Sequence, residues 1–169
     1  MENQLRSHGF TLVELIVVMV VLGILAAIFV LRSNNPAIIL STQAEQLAAD
    51  IRYVQSLAMT QGWSGVAPTA RRYRINFTAT SYSLTDVSGV AVAHPGGTTG
   101  PISFAGDVSI SVPPSNLPNS LVAFDGLGRP YTDAGAATLL ASTATISMVS
   151  SGSTRTVQIF PETGMVRVP

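Results

Sequence analysis

Gly9-Phe10-Thr11-Leu12-Val13-Glu14-Leu15 opens a run that continues Ile-Val-Val-Met-Val-Val-Leu-Gly-Ile-Leu-Ala-Ala-Ile-Phe-Val to Leu31. From Phe10 to Leu31 there are 22 residues and a single charge, that of Glu14. At a rise of ~1.5 Å per residue a helix of this length covers about 33 Å, against a hydrocarbon core of ~30 Å. The run is apolar on every side, and the rest of the chain offers nothing greasy enough to bury it as a core helix. The sequence therefore predicts a transmembrane helix over residues 10–31. Ahead of it, Met1–Gly9 is short and polar, with Arg6 and His8.

Beyond the span, Arg32-Ser33-Asn34-Asn35-Pro36 predicts a break near residues 33–36. The residue before a proline is pushed away from helix, while Asn35 and Pro36 also suit the cap and first turn of a new one. From there to Gly62 the apolar residues Leu40, Ala44, Leu47, Ile51, Val54 and Ala58 step by four and three, which draws one stripe along a helix. Gln43, Glu45, Gln46, Asp50 and Gln55 fall mostly elsewhere. The stripe predicts an amphipathic helix over 32–62, laid on a β-sheet, with Gly62 as its C-cap.

Residues 63–169 read as a β-rich globular domain. Tyr73, Ile75 and Phe77 alternate with Arg72, Arg74 and Asn76, the period of a half-buried strand. Tyr82–Val87 reads as its partner. Val90–Ala93, Ile102–Phe104, Val108–Val112 and Leu121–Phe124 are further short candidates. Thr143–Val149 and Thr154–Phe160 read as a hairpin, and Met165–Val168 as a last strand after the Pro161–Gly164 turn. The fold class is α+β: a long N-terminal helix, transmembrane in its first half and amphipathic in its second, packed on a C-terminal antiparallel β domain.

Composition removes several functions. The chain has 169 residues, no Cys, two His and a formal net charge of zero. Disulfides, thiolate metal sites and thiol nucleophiles are excluded. No Ser stands with a plausible His and acid as a triad, and the Gly-rich stretches lack the Lys of a phosphate loop. No cofactor and no metal are expected. His94, before Pro95-Gly96-Gly97, reads as an exposed loop residue. Asp125 and Glu162 read as turn-capping residues.

The opening motif, Gly-Phe-Thr-Leu-Val-Glu-Leu after a short polar leader, resembles the type III signal of type IV pilins and type II secretion pseudopilins. A secretory signal is cut after its apolar run; in this superfamily the cut lies before it. The resemblance implies a pilin-like fold, a leader over residues 1–9, cleavage by a prepilin peptidase between Gly9 and Phe10, and N-methylation of Phe10. It also implies assembly with other pilin or pseudopilin subunits in the inner membrane, with the C-terminal domain in the periplasm. Physical reasoning supports a role for Glu14: a carboxylate in a membrane span is costly and calls for a partner. The ammonium freed on Phe10 by cleavage supplies one, in the same subunit or a neighbour, which makes Glu14 the expected filament-assembly contact. Many family members carry a helix-kinking Pro near Leu31, whereas the first Pro here is Pro36.

Phe124-Asp125-Gly126-Leu127-Gly128 and Val157-Gln158-Ile159-Phe160-Pro161-Glu162-Thr163-Gly164 resemble the GspH/FimT group. The resemblance implies a minor pseudopilin of a type II secretion system, with a minor type IV pilin of the FimT or MSHA kind as the alternative. Arg71, Arg72 and Arg74 cluster beside Tyr73. They read first as the charged edge of a strand. DNA contact during uptake is the other reading, because some FimT-type pilins bind DNA.

Overall fold

The computed structural model describes residues 11–33, 35–61 and 73–169, the side chains of 29–33 excepted. The chain divides into two compact units, residues 1–35 and 36–169. In the first, α1 runs Leu12–Ser33, and its described apolar side chains are exposed to solvent in the isolated chain. Among the described residues no helix is long and apolar enough to cross a membrane. The side chains described on α1 stop at Ile28, while its backbone continues to Ser33.

The second unit begins with α2, Pro36–Gln61. Pro36 occupies the first helical position, where its missing N–H would have had no partner anyway. The six apolar residues of the predicted stripe are all buried, and Ala48 joins them. The predicted C-cap, Gly62, lies outside the described residues.

α2 packs on two antiparallel sheets. Sheet A has the order β3-β2-β1-β5-β6. Its strands are β1 (Tyr73–Phe77), β2 (Ser81–Asp86), β3 (Ile102–Ser103), β5 (Leu121–Phe124) and β6 (Pro130–Tyr131). Sheet B has the order β4-β7-β8-β9. It is built from β4 (Ser109–Ile110), β7 (Ala144–Ser150), β8 (Ser153–Ile159) and β9 (Val166–Arg167). The helix touches β1 and β5 of the first sheet and β7, β8 and β9 of the second. Alternation decides which side chains go inward. Ile75 and Phe77 from β1, Tyr82 and Leu84 from β2, Ile146 and Met148 from β7, and Val157 and Ile159 from β8 meet the α2 stripe in one core. Full burial of each large aliphatic side chain contributes roughly 1.5–3 kcal/mol, an upper estimate set against chain entropy.

Several expected elements shift. The predicted Val90–Ala93 strand shrinks to one bridge, Ala91 to Thr85. The β7–β8 turn is tighter than expected. Ser150 pairs with Ser153, and Ser151 (φ 46°) and Gly152 (φ 79°) form the two-residue loop. Both positive φ values match the turn twist that hairpins favour.

Three carboxylates outside the motifs, those of Asp86, Asp107 and Asp133, organise the backbone around them. Every Asp of the chain accepts hydrogen bonds. Asp86 holds Ser88 and Val90, Asp107 holds Ser150 and Ser151, and Asp133 holds Ala137 and Thr138. Asp125 and Asp50 are buried and are described with the site below. The carboxylates of Asp86, Asp107 and Asp133 satisfy loop N–H groups that the short strands leave unpaired.

Candidate functional site

The N-terminal motif and the turns at 124–128 and 160–164 of the β domain are the two places where the sequence points to function. Gly9 and Phe10 lie outside the described residues. Directly after them, Thr11 caps α1. Its Oγ1 accepts from Glu14 N at 3.3 Å, and its carbonyl accepts from Leu15 N at 3.2 Å. Thr11 and Glu14 thus stand at the N-cap and N3 positions of α1, where an acidic side chain also meets the positive end of the helix dipole. Glu14, Leu15, Val18, Met19 and Leu22 share one face of the helix. Its carboxylate is exposed at the rim of an apolar rod. Gly23, in the middle of α1, has open space around it.

In the β domain, the two turns that resemble the GspH/FimT group meet on α2. Gln55 Nε2 donates to Gly128 O at 2.9 Å and to Thr163 O at 2.8 Å. Next to it, Arg52 donates to Val166 O at 3.0 Å. The glycines are required by space as well as by φ. A Cβ on Gly164 (φ +65°) would lie 2.6 Å from both Gly128 O and Gln55 Nε2. One on Gly128 (φ +78°) would lie 2.9 Å from Met59 Sδ. In the first turn, Asp125 Oδ1 accepts from Leu127 N and Arg129 N, and Oδ2 from Arg129 Nε and Tyr131 OH. Burial pushes the Asp125 carboxyl up, but the bonds from Arg129, Tyr131 and Leu127 outweigh it and hold the group below its ordinary range. Asp125 is therefore a turn organiser, as expected of it, and Gln55 is a tie that sequence reading missed.

Two further expectations are corrected. Asp50 does not lie on the polar side of α2, and His94 is not an exposed loop residue; they are 7% and 5% exposed. The loop after β2 folds back over α2. His94 N donates to Thr98 O, and the hydroxyl of Tyr53 reaches Ala93 O at 3.3 Å. Tyr82 OH donates to Asp50 Oδ2 at 2.5 Å. His94 Nδ1 lies 4.0 Å from the same oxygen, and its Nε2 lies 3.2 Å from Gly100 O. Burial pushes the Tyr82 phenol far above its ordinary range, and the neighbouring Asp50 carboxylate adds to the shift. The cluster is a buried polar clasp between α2, β2 and the following loop. Among the described residues no three His, Cys, Asp or Glu side chains gather as a metal site.

Of the arginine cluster, Arg71 and Arg72 lie outside the described residues. Arg74 stands on β1, half-buried, its Nε donating to Thr85 Oγ1 at 2.9 Å. Near the C-terminus, Arg167 pairs with Gln158, two strand positions from Thr156 on the outer face, whereas Arg155 lies opposite Met148 on the other face of sheet B. The two do not form one basic surface.

Residues 5–30 match the prokaryotic N-terminal methylation motif. Among solved structures the chain is similar to the type IV minor pilin FimU of Pseudomonas aeruginosa (strain PAO1). The identity is 16% and the TM-score 0.47, over 77% of this chain and 92% of that one. No curated protein matches the chain.

Proposed function

We propose that this chain is a member of the type IV pilin-like superfamily, a reading supported by its match to the N-terminal methylation motif over residues 5–30, and that it is a minor filament subunit, first of all a GspH-like pseudopilin of a type II secretion system. The observation that carries the reading is the motif itself: Gly9-Phe10 followed by Thr11 and Glu14 at the mouth of an apolar helix. Prepilin peptidase cuts between Gly9 and Phe10, and Phe10 is then N-methylated. α1 anchors the mature chain in the inner membrane. Its backbone helix of 22 residues has a length of about 33 Å at ~1.5 Å per residue. The β domain faces the periplasm. The chain works as a structural subunit, with other subunits as its partners.

Glu14 is the assembly contact in this reading. Its carboxylate and the ammonium of Phe10 in a neighbouring subunit attract across a medium of low dielectric, where the charges are poorly screened. The lack of cysteine favours the pseudopilin over pilins that close a C-terminal disulfide. The DNA-binding reading through Arg71, Arg72 and Arg74 is weaker, since Arg74 is committed to Thr85.

Mass spectrometry of the protein from a host with the peptidase tests the proposal. The expected chain begins at Phe10 and carries one added methyl group. An intact leader in that host, or a cut beyond Leu31, overturns it. Co-purification with the pseudopilins of a secretion system, rather than with pilus subunits, separates the two kinds of filament.

A further inference from the structure

His94 is buried, yet its Nδ1 has no hydrogen-bond partner among the described residues. The other ring nitrogen, Nε2, lies 3.2 Å from Gly100 O. A carbonyl oxygen only accepts, so Nε2 carries a hydrogen, and a neutral ring keeps a bare lone pair on Nδ1. That lone pair faces Asp50 Oδ2 at 4.0 Å. Asp50 Oδ2 is itself an acceptor and already takes the Tyr82 hydroxyl. With neutral His94, two buried acceptors meet with no hydrogen between them. A second proton on the ring turns the same juxtaposition into a charged donor beside a carboxylate, where the charges are poorly screened.

The surroundings leave this proton to His94. From α2 the ring meets Asp50, while the hydroxyl of Tyr53 is engaged with Ala93 O. From β2 it meets Tyr82 edge-on, with ring centroids 6.4 Å apart, and that phenol keeps its own proton through burial first and Asp50 second. From its own loop it meets Gly100 O. Among the described residues no arginine or glutamate forms an ion pair with Asp50 or His94. The backbone around the ring is a small turn: Gly97 N donates to His94 O, and His94 N to Thr98 O. Residues 95–99 are exposed, and Gly97 and Gly100 take positive φ. A movement of roughly 1 Å of this turn brings Nδ1 within hydrogen-bonding distance of Asp50.

We propose that His94 is a proton-operated latch. Protonated, it closes on Asp50 through Nδ1–H and pins the 94–100 turn to α2; neutral, it lets the turn lift. The closed latch holds this proton more tightly than the lifted turn does. Closing therefore strengthens as pH falls from about 8 to about 5, the range in which histidine changes charge, and the gain is complete once a lifted His94 would be protonated too.

NMR on the full chain in detergent micelles tests the latch. The nitrogen shifts of the His94 ring read which ring atoms carry hydrogen, and amide exchange, corrected for the intrinsic effect of pH, reads the turn. At pH 5 both ring nitrogens are expected to be protonated, with the His94 and Gly97 amides protected about tenfold more than at pH 8. His94→Gln is expected to remove this pH dependence at Gly97. Asp50→Asn puts an amide donor where neutral Nδ1 can accept from it, and is expected to abolish or reverse the dependence. His8, the other histidine of the chain, is present in both variants. Equal protection at pH 5 and pH 8 in the wild type overturns the proposal, and so does a His94 ring that keeps a bare Nδ1 at pH 5. Both readings come from the wild-type chain and stand even where a variant does not fold. A pH dependence that survives His94→Gln assigns the effect to other groups and overturns it too.

Discussion

Tyr82 donates its phenolic O–H to Asp50 Oδ2 at 2.5 Å, inside the seam between α2 and sheet A. The bond joins residues 32 positions apart and gives a buried helix carboxylate a donor. Its other ionisable neighbour among the described residues is His94, with Nδ1 4.0 Å from the same oxygen. Tyr82→Phe therefore leaves a buried acceptor short of its main partner, at a cost of about 1–3 kcal/mol. Urea unfolding of the wild type and variant measures it. An unchanged midpoint would mean that Asp50 finds water or another donor.

The same residue sets the alkaline limit of stability. Native Tyr82 keeps its proton, mainly through burial, beyond the pH near 10.0 at which a free tyrosine releases it. Above that pH the unfolded chain binds fewer protons than the native one, so stability falls as pH rises. The acid limb has the opposite sign. Asp86, through the Ser88 hydroxyl first, and Asp125, through its turn bonds against burial, are held below the ordinary 3.8. Their stabilisation is full above that value and is lost as pH falls toward their native values. Thermal melts across pH check both limbs, and Tyr82→Phe is expected to flatten the alkaline one.

Gly164→Ala is expected to be the most damaging glycine substitution in the β domain, by about 2–4 kcal/mol. It combines a left-handed backbone with contacts to the Gly128 carbonyl, which is backbone and cannot swing aside. Gly128→Ala meets the flexible end of Met59 and should cost less. Gly97→Ala, at φ +81° with open space around it, should show the backbone term of about 1–2 kcal/mol by itself. Melting temperatures in the reverse order would contradict the packing argument.

Gln55→Leu preserves the helix and its bulk while removing the donor shared by Gly128 O and Thr163 O. The expected loss is about 1–3 kcal/mol. Local loosening should follow at both turns, read as faster amide exchange around Leu127 and Met165. Exchange that quickens at only one turn would show that the two are not tied through Gln55.

Glu14→Val separates processing from assembly. On the proposed function the peptidase acts on the leader side of the chain, and losing the charge makes insertion easier. The variant is expected to be inserted and cut like wild type but to fail in co-purification with partner subunits, because the Phe10 ammonium is left uncompensated. Normal assembly would reduce Glu14 to its place at N3 of α1, behind the Thr11 cap.

The sequence by itself determined whatever depends on neighbours a few residues apart. The methylation motif over residues 5–30 is a local signal. The stripe from Leu40 to Ala58 is legible because a helix with one buried face must repeat its apolar residues every three or four positions. Tyr73–Phe77 is legible because a half-buried strand must alternate. The tertiary structure decided the polar interior and how far each short strand extends. Nothing within a few residues of Asp50 or His94 tells that a loop from beyond β2 will cover them. Gln55 reaches carbonyls 73 and 108 positions away. The two-residue strands β3, β4 and β9 fall inside the candidates Ile102–Phe104, Val108–Val112 and Met165–Val168, whereas β6, Pro130–Tyr131, has no period of its own to read. Apolar burial is written in periodicity, because each residue is drawn inward on its own account. A buried donor or acceptor is satisfied only by a partner that the finished fold brings to it.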